Sequence, residues 1–159
     1  MGVGTGAANI KEPGSHMSKE EANKAIVRRI HDELNRNNLQ IVDELYSPDY
    51  VSHVGNRTSG LKEYKEYLQT HRQAFPDWET SIEEIIAEGD KVVTRISERG
   101  THRGELRHHS MGHHPPTHKP VNSTRTIIRR IDGGKVVESW VHADHLGILN
   151  QIAPGDRRA

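Results

Sequence analysis

Residues 121–145 read VNSTRTIIRRIDGGKVVESWVHADH, two strand-like stretches that meet at the glycine pair 133–134. Two glycines between apolar, β-branched stretches indicate a hairpin with a tight two-residue loop. Alternate residues of a strand point to the same face, so Trp140, His142 and Asp144 are expected on one side of the second strand. An indole, an imidazole and a carboxylate on one face are the best indication of chemistry in this sequence.

A two-residue loop fixes which residues of the hairpin face each other. In that register Arg125 faces His142 and Ile127 faces Trp140, so these side chains share one face with Asp144. A one-residue bulge would move the second strand's set to the opposite side. If the shared face lines an apolar cavity, burial raises the pKa of Asp144 toward the range of a general acid or base.

Upstream of the hairpin, the apolar pattern predicts three helices and then a run of antiparallel strands. Ser18, followed by two glutamates, is expected to cap the first helix. Helices that cover one face of a curved sheet give an α+β layer packing. The predicted helices are 18–34, 39–45 and 60–74, and the predicted strands are 50–54, 79–88, 91–102, 121–132 and 135–145.

The composition excludes several classes of protein. The chain has 159 residues, with 22 Lys and Arg against 22 Asp and Glu, and this balance argues against a non-specific nucleic-acid binder. It has no cysteine, so disulfides, thiolate metal sites and a cysteine nucleophile are absent. No apolar run approaches the roughly 20 residues of a membrane span, and we expect a cytoplasmic protein without a membrane partner.

The first residues have the character of an expression leader. Residues 14–17 read GSHM, as after protease cleavage of a tag, and the stretch before them is rich in Gly and Ala without periodicity. We therefore expect residues 1–17 to be a leader and tag remnant. Residues 18–153 are expected to form one domain, and residues 154–159 a disordered C-terminal tail.

The loop 107–120 is rich in histidine and proline. Neighbouring histidines on an extended chain point apart, and their spacing matches no compact zinc pattern. We therefore predict a solvated lid over a cavity mouth rather than a metal site. The histidines of this loop are His108, His109, His113, His114 and His118.

Six segments carry a family resemblance in their order and spacing: DYVSH (49–53), AFPD (74–77), GTHRGE (100–105), PPT (115–117), GKVVESW (134–140) and LGILNQ (146–151). Together they resemble SnoaL-like polyketide (ester) cyclases of the nuclear-transport-factor-2-like superfamily, over nearly all of residues 18–153. The resemblance implies a cone-shaped α+β barrel of cystatin-like type, in which a curved mixed or antiparallel sheet packs on three N-terminal helices.

The resemblance also implies an activity. The Asp that ends a Trp-x-x-x-Asp motif is the general acid/base of the family, and that position is Asp144 here. It would move a proton on the carbon next to a carbonyl, as an aldol closure requires, with no metal or organic cofactor. His53 and His102 are the further catalytic candidates. The candidate substrate-binding residues are Trp140, His142, Arg125, Ile127 and Phe75.

Alternatives stay open at this point. Asp144 could instead pair with Arg125 or cap the segment that begins at Leu146, and the strand opposite carries Ile127 where many polyketide cyclases place a histidine. The same fold could serve a non-catalytic carrier of small molecules, an isomerase, or an epoxide hydrolase, which needs two acids bridged by an arginine.

The predicted partners are a small-molecule substrate and a second copy of the chain. An uncovered sheet face rich in Val and Ile favours a homodimer. The residues predicted to face outward and form the contact are Val137, Val141 and Ile128.

Overall fold

The structure is a computed structural model that describes residues 17–155. Residues 1–16 of the predicted leader and residues 156–159 of the predicted tail lie outside this range. The described elements are α1 (Lys19–Asn35), α2 (Gln40–Leu45), β1 (Tyr46–Val54), β2 (Arg57–Gly60), α3 (Leu61–Ala74), β3 (Glu79–Glu88), β4 (Lys91–Thr101), β5 (Leu106–His108), β6 (Gly112–His114), β7 (Pro120–Asp132), β8 (Lys135–Ala143) and α4 (His145–Ile152).

Local sequence signals set the ends of most elements. The Ser18 hydroxyl accepts a hydrogen bond of 3.1 Å from the backbone N–H of Glu21, which confirms the predicted cap of α1. Glycines with positive φ at Gly89 and at Gly133–Gly134 turn the chain between β3 and β4 and between β7 and β8. The boundaries of these four strands agree with the predicted ones to within two residues. β1 begins four residues before its predicted start, and β2, β5 and β6 were not predicted.

Six strands form one mixed sheet in the order β2-β1-β8-β7-β4-β3. β1 pairs in parallel with β8, and the other neighbours are antiparallel. This confirms the predicted α+β fold. It differs in detail, because β1 and β2 precede α3 and a fourth helix follows β8.

The helices cover the concave face of the sheet, which we call the inner face. The inner face carries the even-numbered residues of β4 from Val92 to Glu98 and the odd-numbered residues of β7 from Val121 to Ile131. All of these residues except Arg125 are buried. One core cluster joins α1, α2 and β1 to the sheet around Tyr46 and Ile131. The other joins the end of α3 to α4 around Phe75 and Ile148.

A glycine allows the loop after β4 to approach α3. The N–H of Gly104 donates to the carbonyl of Ala74 at 3.0 Å, and a Cβ on Gly104 would collide with the carbonyl oxygen of Gln73. This close approach explains why the segment GTHRGE, which carries part of the family resemblance, has a glycine at residue 104.

The predicted register of the last hairpin is wrong beyond its first two pairs. Asp132 faces Lys135 and Ile131 faces Val136 as expected, but a bulge at Val137 follows, so Ile128 rather than Ile127 faces Trp140. The side chains of β8 therefore exchange faces. The bulge places Ser139, Val141 and Ala143 on the inner face, opposite Arg129, Ile127 and Arg125 of β7. Val141 and Ala143 line a cavity there together with Tyr64 and Tyr67 of α3.

Candidate functional site

Two adjoining cavities lie between α3 and the inner face of the sheet. The mouth cavity, about 110 Å³, opens between β2, β5 and the start of α4. The deep cavity, about 80 Å³, extends toward α1 and is lined by Leu34, Leu68 and Ile127 among others. Tyr64, Tyr67 and Arg125 line both cavities, so these side chains stand where the two meet.

A buried chain of polar groups crosses this junction. The Glu98 Oε1 and Arg125 Nε atoms lie 3.1 Å apart in an ion pair, and Arg125 Nη2 donates to the Tyr67 hydroxyl at 3.0 Å. Glu98 is 4% exposed, and neither its other carboxylate oxygen nor the Arg125 Nε has a hydrogen-bond partner among the described residues. The chain therefore offers one unoccupied carboxylate oxygen beside a guanidinium and a phenol.

Burial and charge act in opposite directions on this pair. Burial raises the pKa of the Glu98 carboxyl, and the Arg125 guanidinium opposes that rise. Burial alone would lower the pKa of Arg125, but Glu98 and Tyr67 outweigh it and hold that pKa above its ordinary value. Arg125 is therefore a permanent cation, whereas Glu98 is a carboxylate with an increased affinity for a proton.

Two histidines in the wall of the deep cavity are held neutral. Burial, with help from Arg129 and Arg125, lowers the pKa of His31 to about 3, and burial also lowers the pKa of His71 well below its usual value. The His31 Nδ1 lies 3.3 Å from the Thr80 hydroxyl, but its Nε2 has no partner in residues 17–155. Both ring nitrogens of His71 are likewise unpaired within that range.

Arg129 lines the same cavity on the inner face, two positions beyond Ile127 on β7. It is 3% exposed, and its Nη1 donates to the Thr94 hydroxyl at 3.2 Å. Within residues 17–155 no carboxylate forms an ion pair with it, and its Nε has no hydrogen-bond partner. The deep cavity thus contains a buried cation with no counter-charge from the described chain.

The histidine-rich loop forms part of the mouth. Its residues 106–114 fold into the β5–β6 hairpin, and the His108 ring lies 4.6 Å from that of His145 and 5.9 Å from that of Tyr67. Burial lowers the pKa of His108 to about 3. In residues 17–155 no three His, Asp or Glu side chains are grouped to hold a metal ion.

Asp144 lies outside both cavities. Its side chain is exposed, and its Oδ1 accepts a hydrogen bond of 2.8 Å from the N–H of Gly147, so it is the N-cap of α4. Of the two alternatives that the sequence left open for Asp144, the structure therefore shows the second, in which it caps the segment that begins at Leu146. Arg125 is paired with Glu98 instead.

His53, Trp140 and His142 also lie away from the cavities, on the outer face of the sheet. The His53 and Trp140 rings are stacked with centroids 5.5 Å apart, and His53 Nε2 lies 2.7 Å from Glu138 Oε2. His142 is exposed. The shift in register caused by the bulge is the reason for the positions of Trp140 and His142, and His53 lies on β1 opposite Trp140.

His102 and Phe75 are buried in the second core cluster, with ring centroids 5.4 Å apart. The His102 Nδ1 lies 3.0 Å from the Thr117 hydroxyl, and burial lowers its pKa. Neither residue lines a cavity. Of the predicted site residues, the structure brings Arg125 and Ile127 together at the deep cavity.

Sequence reasoning missed most residues of the two cavities. Glu98 stands in phase with the apolar residues Val92 and Ile96, and a charged residue at a buried position of an alternating strand is a signal that could have identified it. Arg129 stands between Ile127 and Ile131 in the same way. The cavity residues of α1 and α3 give no such signal, because polar residues at the edge of an apolar stripe are common.

Comparisons with known proteins agree with this architecture. The sequence model of the SnoaL-like polyketide cyclase family matches residues 24–152. AclR from Streptomyces galilaeus, a proposed hydroxylase, is 28% identical with a TM-score of 0.75, covering 83% of this chain and 96% of its own. IdmH from Streptomyces antibioticus, a proposed polyketide cyclase, is 26% identical with a TM-score of 0.69, covering 81% and 96%.

A proposed SnoaL-like polyketide cyclase from Jannaschia is 23% identical with a TM-score of 0.76 over 88% of this chain and 98% of its own, and it supports the fold alone. The search of curated proteins finds no significant match. In residues 17–155 no helix has the length and apolar character needed to cross a membrane. Because the family model covers most of its length, the chain belongs to the SnoaL-like polyketide cyclase family.

Proposed function

We propose that this protein is an enzyme that moves a proton on the carbon next to a carbonyl group, in a small molecule bound beneath α3. The observation that carries the proposal is the buried Glu98–Arg125–Tyr67 chain at the junction of the two cavities. A carboxylate with a raised pKa beside a fixed cation is the arrangement that general-base catalysis at a carbonyl compound needs.

The chemistry follows from the three side chains. The unpaired oxygen of Glu98 takes the proton from the carbon next to the carbonyl. The negative charge then develops on the carbonyl oxygen, where Arg125 and the Tyr67 hydroxyl can donate hydrogen bonds to it. In an aldol closure the enolate carbon attacks a second carbonyl of the same molecule. The proton on Glu98 is delivered to the new alkoxide, and the base is regenerated.

The comparisons support this reading at the level of the reaction type. The family carries the name of polyketide cyclases, and the neighbour IdmH is a proposed polyketide cyclase. The proposal transfers the acid/base role from Asp144, His53 and His102 to Glu98, because those three residues do not line the cavities. Arg125 and Ile127 keep the substrate-binding role expected from the sequence.

The two alternative functions, an epoxide hydrolase and a carrier, require different residues in the same cavity. An epoxide hydrolase needs a second acid at Arg125, and in residues 17–155 only Glu98 forms an ion pair with that guanidinium. A carrier needs affinity but no base. Proton exchange at a bound ketone therefore separates an enzyme from a carrier.

The test is the exchange of methyl protons for deuterium in a panel of aryl methyl ketones, followed by NMR. Uncatalysed exchange in these compounds is slow at neutral pH, so it reports proton abstraction without requiring the natural substrate. We expect the wild type to accelerate exchange and Glu98→Gln to lose that acceleration. The matched control is Glu84→Gln, which removes a carboxylate paired with Arg95 on the outer face. A wild type that binds a ketone without exchanging its protons would contradict the proposal and support a carrier.

We also propose that the outer face is the contact of a homodimer. Ile128 points outward as predicted, but Val141 lines the mouth cavity and Val137 is the bulged residue. The outward apolar side chains are instead Val51, Val93, Ile128 and Trp140. Light scattering should give the mass of a dimer at micromolar concentration, and Val51→Glu should shift it to a monomer. A wild-type monomer mass would contradict this proposal.

A further inference from the structure

Two arginines of β7 line the deep cavity, and their electrostatic surroundings differ. Arg125 is paired with Glu98 and bonded to Tyr67. Arg129, the more buried of the two, has only the Thr94 hydroxyl as a hydrogen-bond partner among the described residues. A guanidinium keeps its proton in proteins, and a buried ion without a counter-charge is strongly unfavourable.

The groups around Arg129 do not supply the missing negative charge. Burial and the neighbouring Tyr46 raise the pKa of Tyr50 to about 12, so its phenol stays neutral. His31 is also held neutral, and the same arginine contributes to that effect. The charged residues that line the deep cavity are Arg72, Arg125, Arg129 and Glu98, and together they carry an excess of two positive charges. Arg72 donates to the backbone carbonyls of Trp78 and Leu34, whereas Arg129, which is 3% exposed, has only the Thr94 hydroxyl.

We propose that the ligand of this cavity carries a carboxylate, which binds Arg129 while the ligand's carbonyl lies at Arg125. The inference rests on the proposed function, and it narrows the substrate class to keto acids rather than neutral esters. Leu34, Leu39 and Leu68 line the same space, so the walls suit an organic anion with an apolar body rather than a bare inorganic ion. The unpaired Nε2 of His31 offers a further hydrogen bond to the ligand.

The experiment compares two ligands that differ only in charge, 4-acetylbenzoate and 4-acetylbenzamide. Their dissociation constants are measured by calorimetry on the wild type, Arg129→Met and Arg130→Met. Arg130 is the matched control, because it is the next residue of the strand and pairs with Glu138 on the outer face. We expect the wild type and Arg130→Met to prefer the carboxylate by roughly 30-fold or more. Arg129→Met should bind both ligands with the weaker affinity of the amide.

Each other outcome overturns the inference. If the wild type binds the acid and the amide equally, the inference is wrong, whatever the variants show. It is also wrong if Arg129→Met still prefers the acid, or if the wild type binds neither ligand. Acetate or chloride that binds as tightly as 4-acetylbenzoate would assign Arg129 to a free anion rather than to the substrate. The proposed function has its own test: it is wrong if Glu98→Gln retains full deuterium exchange. That result would not change the preference of the wild type for 4-acetylbenzoate over 4-acetylbenzamide.

Discussion

The two faces of the central sheet use the same kinds of side chain in opposite ways. On the outer face Arg130, Glu138 and His53 form a connected network, with Arg130 Nη2 and His53 Nε2 lying 3.2 and 2.7 Å from the two carboxylate oxygens. On the inner face Arg129 and His31 are buried and incompletely paired. Arg129 and Arg130 are neighbours in sequence, and their environments differ because Arg129 points to the inner face of β7 and Arg130 to the outer face.

This contrast shows where a ligand is needed. Exposed polar groups that satisfy one another contribute little to stability, and they need nothing from outside the chain. Buried polar groups without partners are costly, and a folded protein retains them where they serve binding or catalysis. The inner face is therefore the one on which we place the proposed function.

The largest contrast is expected in catalysis. Glu98→Gln should lower the rate of deuterium exchange by about 10²–10⁴-fold, because the amide cannot accept the proton. Asp144→Asn should change that rate by less than about twofold, since asparagine also caps a helix and the residue lies outside the cavities. NMR exchange rates on the two variants test both statements. Equal losses in the two variants would break the assignment of the inner face as the catalytic one.

The next contrast concerns stability in the absence of ligand. Arg129→Met should raise the free energy of unfolding by about 1–4 kcal/mol, because it replaces a buried unpaired charge with an apolar side chain. Arg130→Met should change it by less than about 1 kcal/mol, since it removes an ion pair that is only partly buried. Urea unfolding measures both. A clear loss of stability in Arg129→Met would mean that the charge is compensated within the protein.

A third contrast uses pH. The pKa of His31 is lowered to about 3 in the folded protein, so below its unfolded value of 6.5 the unfolded chain binds more protons and stability falls. Between pH 7 and pH 5 this histidine should account for a loss of about 2 kcal/mol. His31→Gln should remove that part of the pH dependence, and His53→Gln on the outer face should not. If the unfolding free energy of the two variants depends on pH with the same slope, the prediction is wrong.

The smallest effect is expected in the outer network. Glu138→Gln should cost less than about 1 kcal/mol, because the carboxylate and both its partners are partly exposed. The loss should shrink further in 1 M salt, which screens exposed charges. A thermal melt at two salt concentrations measures this. Because the proposed dimer contact would bury this network, the melt is run on the Val51→Glu variant, in which a loss of several kcal/mol would contradict the prediction.

The sequence was sufficient to predict the fold and its main helices and strands, but not β2, β5, β6 and α4. Capping by Ser18 and the turns at Gly89 and Gly133–Gly134 fix the element ends locally, and alternation then defines the strands. Register was not predictable in the same way. The bulge at Val137 depends on what the inner face can accommodate, which is a property of the packed helices rather than of the hairpin alone.

For the residues of β8 and its end, the error in the candidate site follows from that single residue. With the bulge, Trp140 and His142 face outward, and Asp144 ends the strand as a helix cap. Arg125 and Ile127 were placed correctly because they lie on β7, whose own alternation is unbroken. Glu98 lies on β4, outside the C-terminal motif that carries the family resemblance, and only its position in the buried phase of that strand indicates it.

The most direct test of the central claim is a crystal structure of the wild type with 4-acetylbenzoate. The account predicts density beneath α3, with the ketone oxygen within hydrogen-bond distance of Arg125 or Tyr67 and the carboxylate on Arg129. Ligand bound on the outer face beside Trp140 or Asp144, with the cavities beneath α3 empty, would contradict it.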